Sequence, residues 1–203
     1  MTHVDPYAHA PRLPTEGPID LCALVGSSAP VELEIGSGRG WFLVERVELD
    51  PACRILGLEI KRKWATIVDD RLKKRGHAAR ARVFAEDARL VLPRVQPASL
   101  STVYIHFPDP WWKKRHHKRM VLSTPLLEPL ARALAPQGTL FLQTDVEERA
   151  AHYEALLDAS PLFEAAGSSA RIEDHDFGAR SPRERRAIAD GLPVYRLLYR
   201  RAG

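Results

Sequence analysis

Short apolar runs with strand character alternate with helical patterns over most of this chain. Five of these runs are predicted as strands, at residues 31–35, 54–60, 82–85, 101–107 and 138–144. A helix predicted from about residue 63 to 75 ends at Gly76, and spaced leucines predict another helix before Pro136. Strands that alternate with helices pair in parallel through crossovers, so we predict an α/β fold with a mostly parallel sheet and helices on both faces. A last strand is predicted at residues 193–199, and the pattern leaves the direction of the late strands open.

Composition favours a globular, cytoplasmic protein. The chain has 203 residues, of which 45% are hydrophobic, enough for one domain of ordinary size. It shows no apolar run long enough for a membrane span and no secretory signal, so no membrane association is expected. The two cysteines are far apart in the sequence, which is typical of a protein from a reducing compartment that holds no metal cluster. Four prolines up to Pro18 predict a flexible N-terminal arm over residues 1–18, followed by one domain over residues 19–203.

A glycine-rich loop follows the first predicted strand. Gly36, Gly38 and Gly40 allow a close backbone approach to a ligand, and the helix that begins there offers unpaired N–H groups. Such a turn is also found without any ligand. Its G-x-G-x-G spacing differs from the G-x-G-x-x-G that dinucleotide sites favour.

Three acidic residues end successive predicted strands. Glu34 precedes the glycine loop, Glu59 lies where an acid can hold the ribose hydroxyls of an adenosine, and Asp87 is placed to accept from an exocyclic amine. Each alone could be a solvated strand-end residue. Together they predict a nucleoside site, and the cationic sulfonium of S-adenosylmethionine (SAM) suits an acid-lined site better than NAD does.

The run YIHFPDPWWKKRHHKR joins the fourth strand to a cluster of cations. Pro108 and Pro110 should end the strand and hold Asp109 in an extended turn. The cations that follow are expected to contact phosphates, and Trp111 or Trp112 to stack on a base. His116 and His117 lack a third ligand nearby, so no metal site is predicted. A second basic run, over residues 61–75, is interpreted as a solvated helix.

Several motifs together resemble the bacterial tRNA (guanine-N7)-methyltransferases. They are Glu34 with GSGRG, GLEI at 57–60, EDA at 86–88, FPDPWWKKRHHKR at 107–119 and QTD at 143–145. The resemblance implies the three-layer, Rossmann-like fold of class I SAM-dependent methyltransferases, with a seven-stranded sheet. It also implies SAM as cofactor and methyl transfer to N7 of a variable-loop guanosine in tRNA.

The resemblance also assigns roles to individual residues. Asp109 is implied to contact SAM and to act in catalysis, together with the cofactor-binding residues Glu34, Gly36, Gly38, Gly40, Glu59 and Asp87. The substrate-binding residues expected on this basis and from the basic cluster are Lys113, Asp145, Ser181, Glu184, Arg115, Lys118 and Arg119. No obligatory protein partner is implied, and we expect a monomer or a homodimer.

The segment from Ser181 to Arg186 departs from the family pattern. Ser181 replaces a threonine, Arg183 stands where an aromatic residue is common, and Ala187 replaces a glycine. Farther on, Arg196 stands where an acid is common. Guanine recognition in this segment is therefore a separate question from the cofactor site.

Other functions are compatible with the same residues. The enzyme could methylate another RNA or another base atom, or the chain could be a catalytically silent RNA-binding module on the same fold. A nicotinamide oxidoreductase is disfavoured by Glu34 and by the glycine spacing.

Overall fold

The computed structural model describes residues 5–108 and 121–203. Its strands are β1 Val31–Ile35, β2 Ile55–Leu58, β3 Ala81–Phe84, β4 Leu100–His106, β5 Leu134–Thr144, β6 Phe163–Ala165, β7 Arg171–Ile172 and β8 Tyr195–Arg201. Its α-helices are α1 Trp41–Leu49, α2 Arg62–Lys74, α3 Ala88–Val91, α4 Thr124–Ala133, α5 Glu147–Asp158 and α6 Pro182–Ala189. Residues 109–120, and with them Asp109, Lys113, Arg115, Lys118 and Arg119, lie outside the described residues.

The sheet confirms the predicted architecture. Its strand order is β3-β2-β1-β4-β5-β8-β6, with the two-residue β7 pairing with β8. Strands β1 to β5 pair in parallel, and β8 is antiparallel to β5, β6 and β7. The sheet therefore has seven strands in a continuous path plus one short addition. The chain order reverses between β1 and β4, which is where open α/β sheets bind ligands.

Alternating side chains give the sheet a core on each face. In β1 and β4, Leu33, Ile35, Val103 and Ile105 face a core that also takes in α3, α4 and α5. Tyr104 faces the other core, which is filled from α1 and α2. Helices on both faces follow from this alternation, because each apolar face of the sheet must be covered. None of the helices described has the length and apolar composition that crossing a membrane would require.

The expected N-terminal arm lies against the domain in part. Ala10 and Leu13 are buried, and the Ala85 amide donates to the Pro11 carbonyl at 2.7 Å. Arg94 donates to the carbonyls of Pro14 and Gly17. Residues 10–17 are thus hydrogen-bonded to the domain, and the boundary at residue 18 stays a prediction.

Helix α4 ends earlier than the leucine pattern indicates. The spaced leucines that predict this helix are Leu126, Leu127, Leu130 and Leu134, but Leu134 is the first residue of β5. The Leu134 side chain is buried in the same core as the three helical leucines, so its apolar character is compatible with a helix and with a strand. Spacing alone therefore did not distinguish a last helical turn from the start of a buried strand.

Gly40 brings α1 and α2 into close contact. The residue has φ +68°, and a Cβ atom placed on it would lie 2.2 Å from Cγ1 of Val68 in α2. Val68 is itself completely buried. Gly40 is therefore needed for helix packing as well as for its backbone conformation.

We predict that Gly40→Ala lowers the free energy of unfolding by about 3 kcal/mol, because overpacking and a left-handed alanine add together. Gly76→Ala is the matched control, since Gly76 has φ +76° and no atom near the added Cβ; it should cost about 1 kcal/mol. Urea unfolding measures both. In a Val68→Ala background the cost of Gly40→Ala should fall to that of the control, and an unchanged cost would contradict the packing explanation.

Candidate active site

A cavity of about 300 Å³ lies at the carboxyl edge of the parallel strands. The ends of β1, β2 and β4, the segment after β3 and the loops that follow them form its walls. The lining residues are Ile35, Gly36, Gly38, Arg39, Leu58, Glu59, Ile60, Lys61, Trp64, Glu86, Asp87, Ala88, Arg89, Ile105, His106, Phe107, Pro108, Val121 and Tyr153. Of the predicted cofactor residues in the described chain, Gly36, Gly38, Glu59 and Asp87 are brought together here.

Glu59 ties the glycine loop to the end of β2. Its Oε2 accepts from the Gly38 amide and its Oε1 from the Lys61 amide, both at 2.8 Å. The carboxylate is buried yet lines the cavity, and each oxygen has a second lone pair for a ligand. Two backbone donors thus fix the orientation of this acid before any ligand arrives.

The glycines of the loop have different functions. Gly36 and Gly38 have φ +76° and +53° and line the cavity, with open space where a side chain would begin. Gly40 lies outside the cavity, and its requirement for glycine comes from Val68. Its expected contact with the cofactor stays a prediction.

Asp87 and its neighbour Glu86 form the far wall of the cavity. Asp87 caps α3 by accepting from the Arg89 amide at 2.9 Å, and its side chain pairs with the Arg89 guanidinium. The hydrogen bond from Arg89 lowers the pKa of Asp87, so the carboxylate is ionised at neutral pH. Glu86 accepts from Arg12 and from the Leu13 amide, which fastens the N-terminal segment to this wall.

Glu34 lies beneath the cavity rather than in its lining. Its carboxylate is buried on the α1 face of β1, with Oε1 3.0 Å from Nδ1 of His106. Within the described chain, neither Oε2 of Glu34 nor Nε2 of His106 has a hydrogen-bond partner. His106 does line the cavity, so Glu34 adjoins the site through this histidine. Direct contact between Glu34 and the cofactor stays a prediction.

The chain leaves β4 in a strained conformation. Phe107 has φ +45°, an uncommon value for a residue other than glycine, and its amide donates to the Gln143 carbonyl at 2.7 Å. The strand therefore ends at His106, one residue before the predicted end. Phe107 and Pro108 both line the cavity, and Pro108 directly precedes Asp109. Strain of this kind is often stored at functional sites.

Asp145 is linked through Arg183 to Phe107, the residue that follows β4. Two nitrogens of Arg183 donate to the Asp145 carboxylate at 2.8–3.0 Å, and the Arg183 guanidinium lies 5.1 Å from the centre of the Phe107 ring. The pair is partly exposed. The predicted substrate residue Asp145 and the segment that begins at Ser181 are thus neighbours.

Ser181 and Glu184 are part of the structure of α6. Ser181 caps the helix by accepting from the Glu184 amide at 3.2 Å. Glu184 is completely buried, and its carboxylate accepts from four side chains: Gln143, His175, Arg180 and Arg196. The Glu184 carboxylate is therefore occupied by these contacts and has no surface exposed to a substrate. Its expected contact with the substrate stays a prediction, and this burial disfavours it.

The buried cluster around Glu184 is an ion-pair network. Asp174 joins it through Arg180, which also pairs with Glu184. Asp174, His175 and Glu184 approach one another closely enough to hold a cation, but Arg180 and Arg196 already supply positive charge there. Arg196, where the family resemblance expects an acid, is 7% exposed and balances Glu184.

Several residues of the site were not singled out from the sequence. His106, Phe107, Trp64 and Tyr153 line the cavity but sit in patterns that also predict a core or a solvated helix. The signal that was present is positional: His106 and Phe107 end a strand next to Pro108, at the edge where ligands bind.

We predict that Glu184→Gln lowers the free energy of unfolding by about 3 kcal/mol near neutral pH, because Arg196 loses its buried partner. Burial alone would raise the pKa of Glu184, but hydrogen bonds from His175 and Arg196 outweigh it and lower the pKa to about 2, from 4.5. The ionised carboxylate therefore stabilises the fold above pH 4.5, and this contribution is lost as pH falls towards 2.

Urea unfolding of both proteins across this pH range tests the prediction. The difference in the free energy of unfolding between wild type and Glu184→Gln should become smaller as pH falls from 4.5 towards 2. Glu164→Gln is the control, because Glu164 forms an exposed ion pair with Arg200 and should matter little at any pH. A difference for Glu184→Gln that does not vary with pH would contradict the ion-pair account.

Comparison with known proteins identifies relatives of the whole chain. A family model described as "Putative methyltransferase" matches residues 28–197. The tRNA (guanine-N(7)-)-methyltransferase of Myxococcus xanthus (strain DK1622) is 39% identical over 182 residues, covering 89% of this chain and 88% of the relative. The enzyme of the same name from Microcystis aeruginosa (strain NIES-843 / IAM M-2473) is 32% identical over 201 residues, covering 98% and 95%.

Solved structures with lower sequence identity share the fold. The 16S rRNA methyltransferase KamB is 15% identical with a TM-score of 0.65, covering 89% of this chain and 92% of that one. The aminoglycoside resistance methyltransferase NpmB1 is 16% identical with a TM-score of 0.60, covering 90% and 92%. Since the relatives at 32–39% identity match along most of their own length, the chain belongs to the family of tRNA (guanine-N(7)-)-methyltransferases.

Proposed function

We propose that this protein transfers the methyl group of SAM to N7 of a guanosine in tRNA. The observation that carries the proposal is the position of Glu59, an acid fixed by the glycine loop in the wall of a cavity at the carboxyl edge of the sheet. The names of the relatives given above state that they methylate tRNA at guanine N7, which supports the choice of substrate.

The cavity residues fit SAM. A volume of about 300 Å³ is at the lower end for small-molecule sites, and the open space at Gly36 and Gly38 lets a ligand approach the backbone. Glu59 accepts from ribose hydroxyls, while the largely exposed Ile60 offers an apolar surface to the adenine ring. The G-x-G-x-G spacing of the loop, in place of the G-x-G-x-x-G of dinucleotide sites, argues against a dinucleotide.

The chemistry requires positioning rather than a base. Bound SAM supplies an electrophilic methyl group on a sulfonium. Guanine N7 carries an in-plane lone pair, so no proton has to be removed before attack, and the protein must hold N7 in line with that methyl. Positive charge then builds on the purine, and a fixed carboxylate stabilises it. Asp109, which follows the cavity-lining Pro108, is the residue proposed for this role.

Asp145 is proposed to hold the guanine. A carboxylate can accept from the N1–H and the 2-amino group together, and these lie across the purine from N7. Phe107, next to the Asp145–Arg183 pair, offers a ring face to a flat base. Holding the base by that edge would leave N7 pointing towards the cofactor. This role requires no direct contact between the base and Ser181 or Glu184.

The cations from Lys113 to Arg119 are proposed to bind phosphates of the tRNA backbone. Lys113, Arg115, Lys118 and Arg119 come four to ten residues after Asp109 in the sequence, so phosphates bound by them would anchor the RNA close to the reacting base. The enzyme is expected to act in the cytoplasm without an obligatory protein partner, as a monomer or a homodimer.

Incubation of unmodified tRNA with methyl-labelled SAM, followed by nucleoside analysis, tests the function. We expect 7-methylguanosine as the labelled product. Another methylated nucleoside would reassign the target atom, and tight RNA binding without label transfer would support the silent RNA-binding module instead.

Asp109→Ala tests the catalytic role of this residue. It should reduce turnover at least a hundredfold, since a preorganised charge in a water-poor site is worth about 3 kcal/mol. SAM binding, measured by calorimetry, should weaken far less. A variant with near wild-type turnover would remove Asp109 from the mechanism.

A further inference from the structure

We infer that a tryptophan–arginine surface beside the cofactor cavity is a second contact site for the tRNA backbone. This surface consists of Arg39, Trp41, Lys63, Trp64 and Arg71. The inference rests on the proposed tRNA substrate and adds an interaction surface to it, distinct from the basic cluster at Lys113–Arg119. It also revises the interpretation of residues 61–75 as a solvated helix.

Two arginines of this surface are held against tryptophan rings. The Arg71 guanidinium lies 4.5 Å from the ring centre of Trp41, and that of Arg39 lies 5.1 Å from Trp64. Arg71 also donates to the Arg39 carbonyl at 2.8 Å, which links the two pairs. The Nζ atom of Lys63 also lies close to Trp64, at 5.3 Å from its ring centre. These contacts orient planar cations that suit bidentate phosphate binding.

The positive charge of this surface is not neutralised by nearby acids. Over residues 5–108 and 121–203, Arg39, Lys63 and Arg71 form no ion pair, and the cations of α2 that do are Arg62 and Lys73. Many other arginines of the protein are paired with acids, among them Arg46, Arg82, Arg171 and Arg196. A group of unneutralised cations around two aromatic rings complements a polyanion that carries exposed bases, which is the character of RNA.

The surface lies on the edge that any substrate of the cavity must face. Arg39 is in the loop after β1, Trp41 is the first residue of α1, and Lys63 is near the start of α2. Because β1 and β2 are parallel, the helices that follow them begin at the same edge of the sheet. Arg71 is farther along α2, but helical side chains tilt towards the N-terminus, and its guanidinium reaches the loop at Arg39.

Exposure is consistent with a contact surface. Trp41 is 46% exposed, which is high for a tryptophan, and Arg39 and Lys63 are exposed as well. Arg39 and Trp64 also line the cavity, so changes there would affect the cofactor. Trp41, Lys63 and Arg71 do not line it, and they are the residues on which a test of tRNA binding can rest.

The test compares two pairs of substitutions that each remove two positive charges. Lys63→Gln with Arg71→Gln alters the surface. Lys74→Gln with Arg54→Gln is the control. Lys74 ends α2 about 16 Å along the helix axis from Lys63, whereas the Arg71 side chain reaches back to Arg39, and Arg54 precedes β2 at the opposite edge of the sheet. The dissociation constant for unmodified tRNA is measured over a range of salt concentrations, with SAM affinity and thermal unfolding checked for each protein.

The surface pair should raise the dissociation constant for tRNA roughly tenfold and reduce the salt slope by about one to two. The control pair should stay within about twofold of wild type, and SAM affinity should be unchanged in both. Trp41→Ala, which keeps every charge, should also weaken tRNA binding about threefold or more, because Arg71 loses its platform and a ring is removed.

Equal effects of the surface pair and the control pair, together with no effect of Trp41→Ala, would overturn the inference while leaving the proposed function intact. A wild-type protein that methylates no tRNA would instead overturn the proposed function. The two failures are therefore separate results.

Discussion

The site depends on a hydrogen-bonded link between two neighbouring strands. Glu59, after β2, accepts from the amide of Gly38 in the loop after β1 and from the amide of Lys61. These contacts hold the loop and the acid in one geometry, with Gly36 and Gly38 at positive φ and free of side chains. The cavity is thus preformed by backbone hydrogen bonds, and a ligand does not have to order the loop.

At the β8 side of the sheet a buried ion-pair network adds to the apolar packing of the two cores. Glu184 collects hydrogen bonds from Gln143 of β5, Arg196 of β8 and His175, and it fastens α6 to the end of the sheet. Arg183, on the same helix, then orients Asp145. This arrangement explains why Arg196 replaces an acid: with Glu184 buried, a cation is needed beside it. A buried network of this kind fixes position, whether or not it adds net stability.

Much of the architecture could be predicted from the sequence because it depends on local patterns. β1 matches its predicted bounds, and the glycine loop and the acids at 59 and 87 were found from their places after strands. Side-chain direction could not be predicted in the same way. Glu34 and Glu184 are acids in motif positions, yet both are buried against partners from distant segments, His106 and Arg196. Such pairing depends on tertiary contacts that no spacing rule contains, and the same is true of Arg71 reaching Trp41.

We propose that Glu59 recognises the ribose of the cofactor, and the function of the whole site depends on this contact. The most direct measurement is calorimetric binding of S-adenosylhomocysteine and of its analogue lacking both ribose hydroxyls, to wild type and to Glu59→Ala. In wild type, loss of the hydroxyls should weaken binding by about 1.5–3 kcal/mol, and in Glu59→Ala this loss should nearly vanish. An equal loss in both proteins would contradict the account.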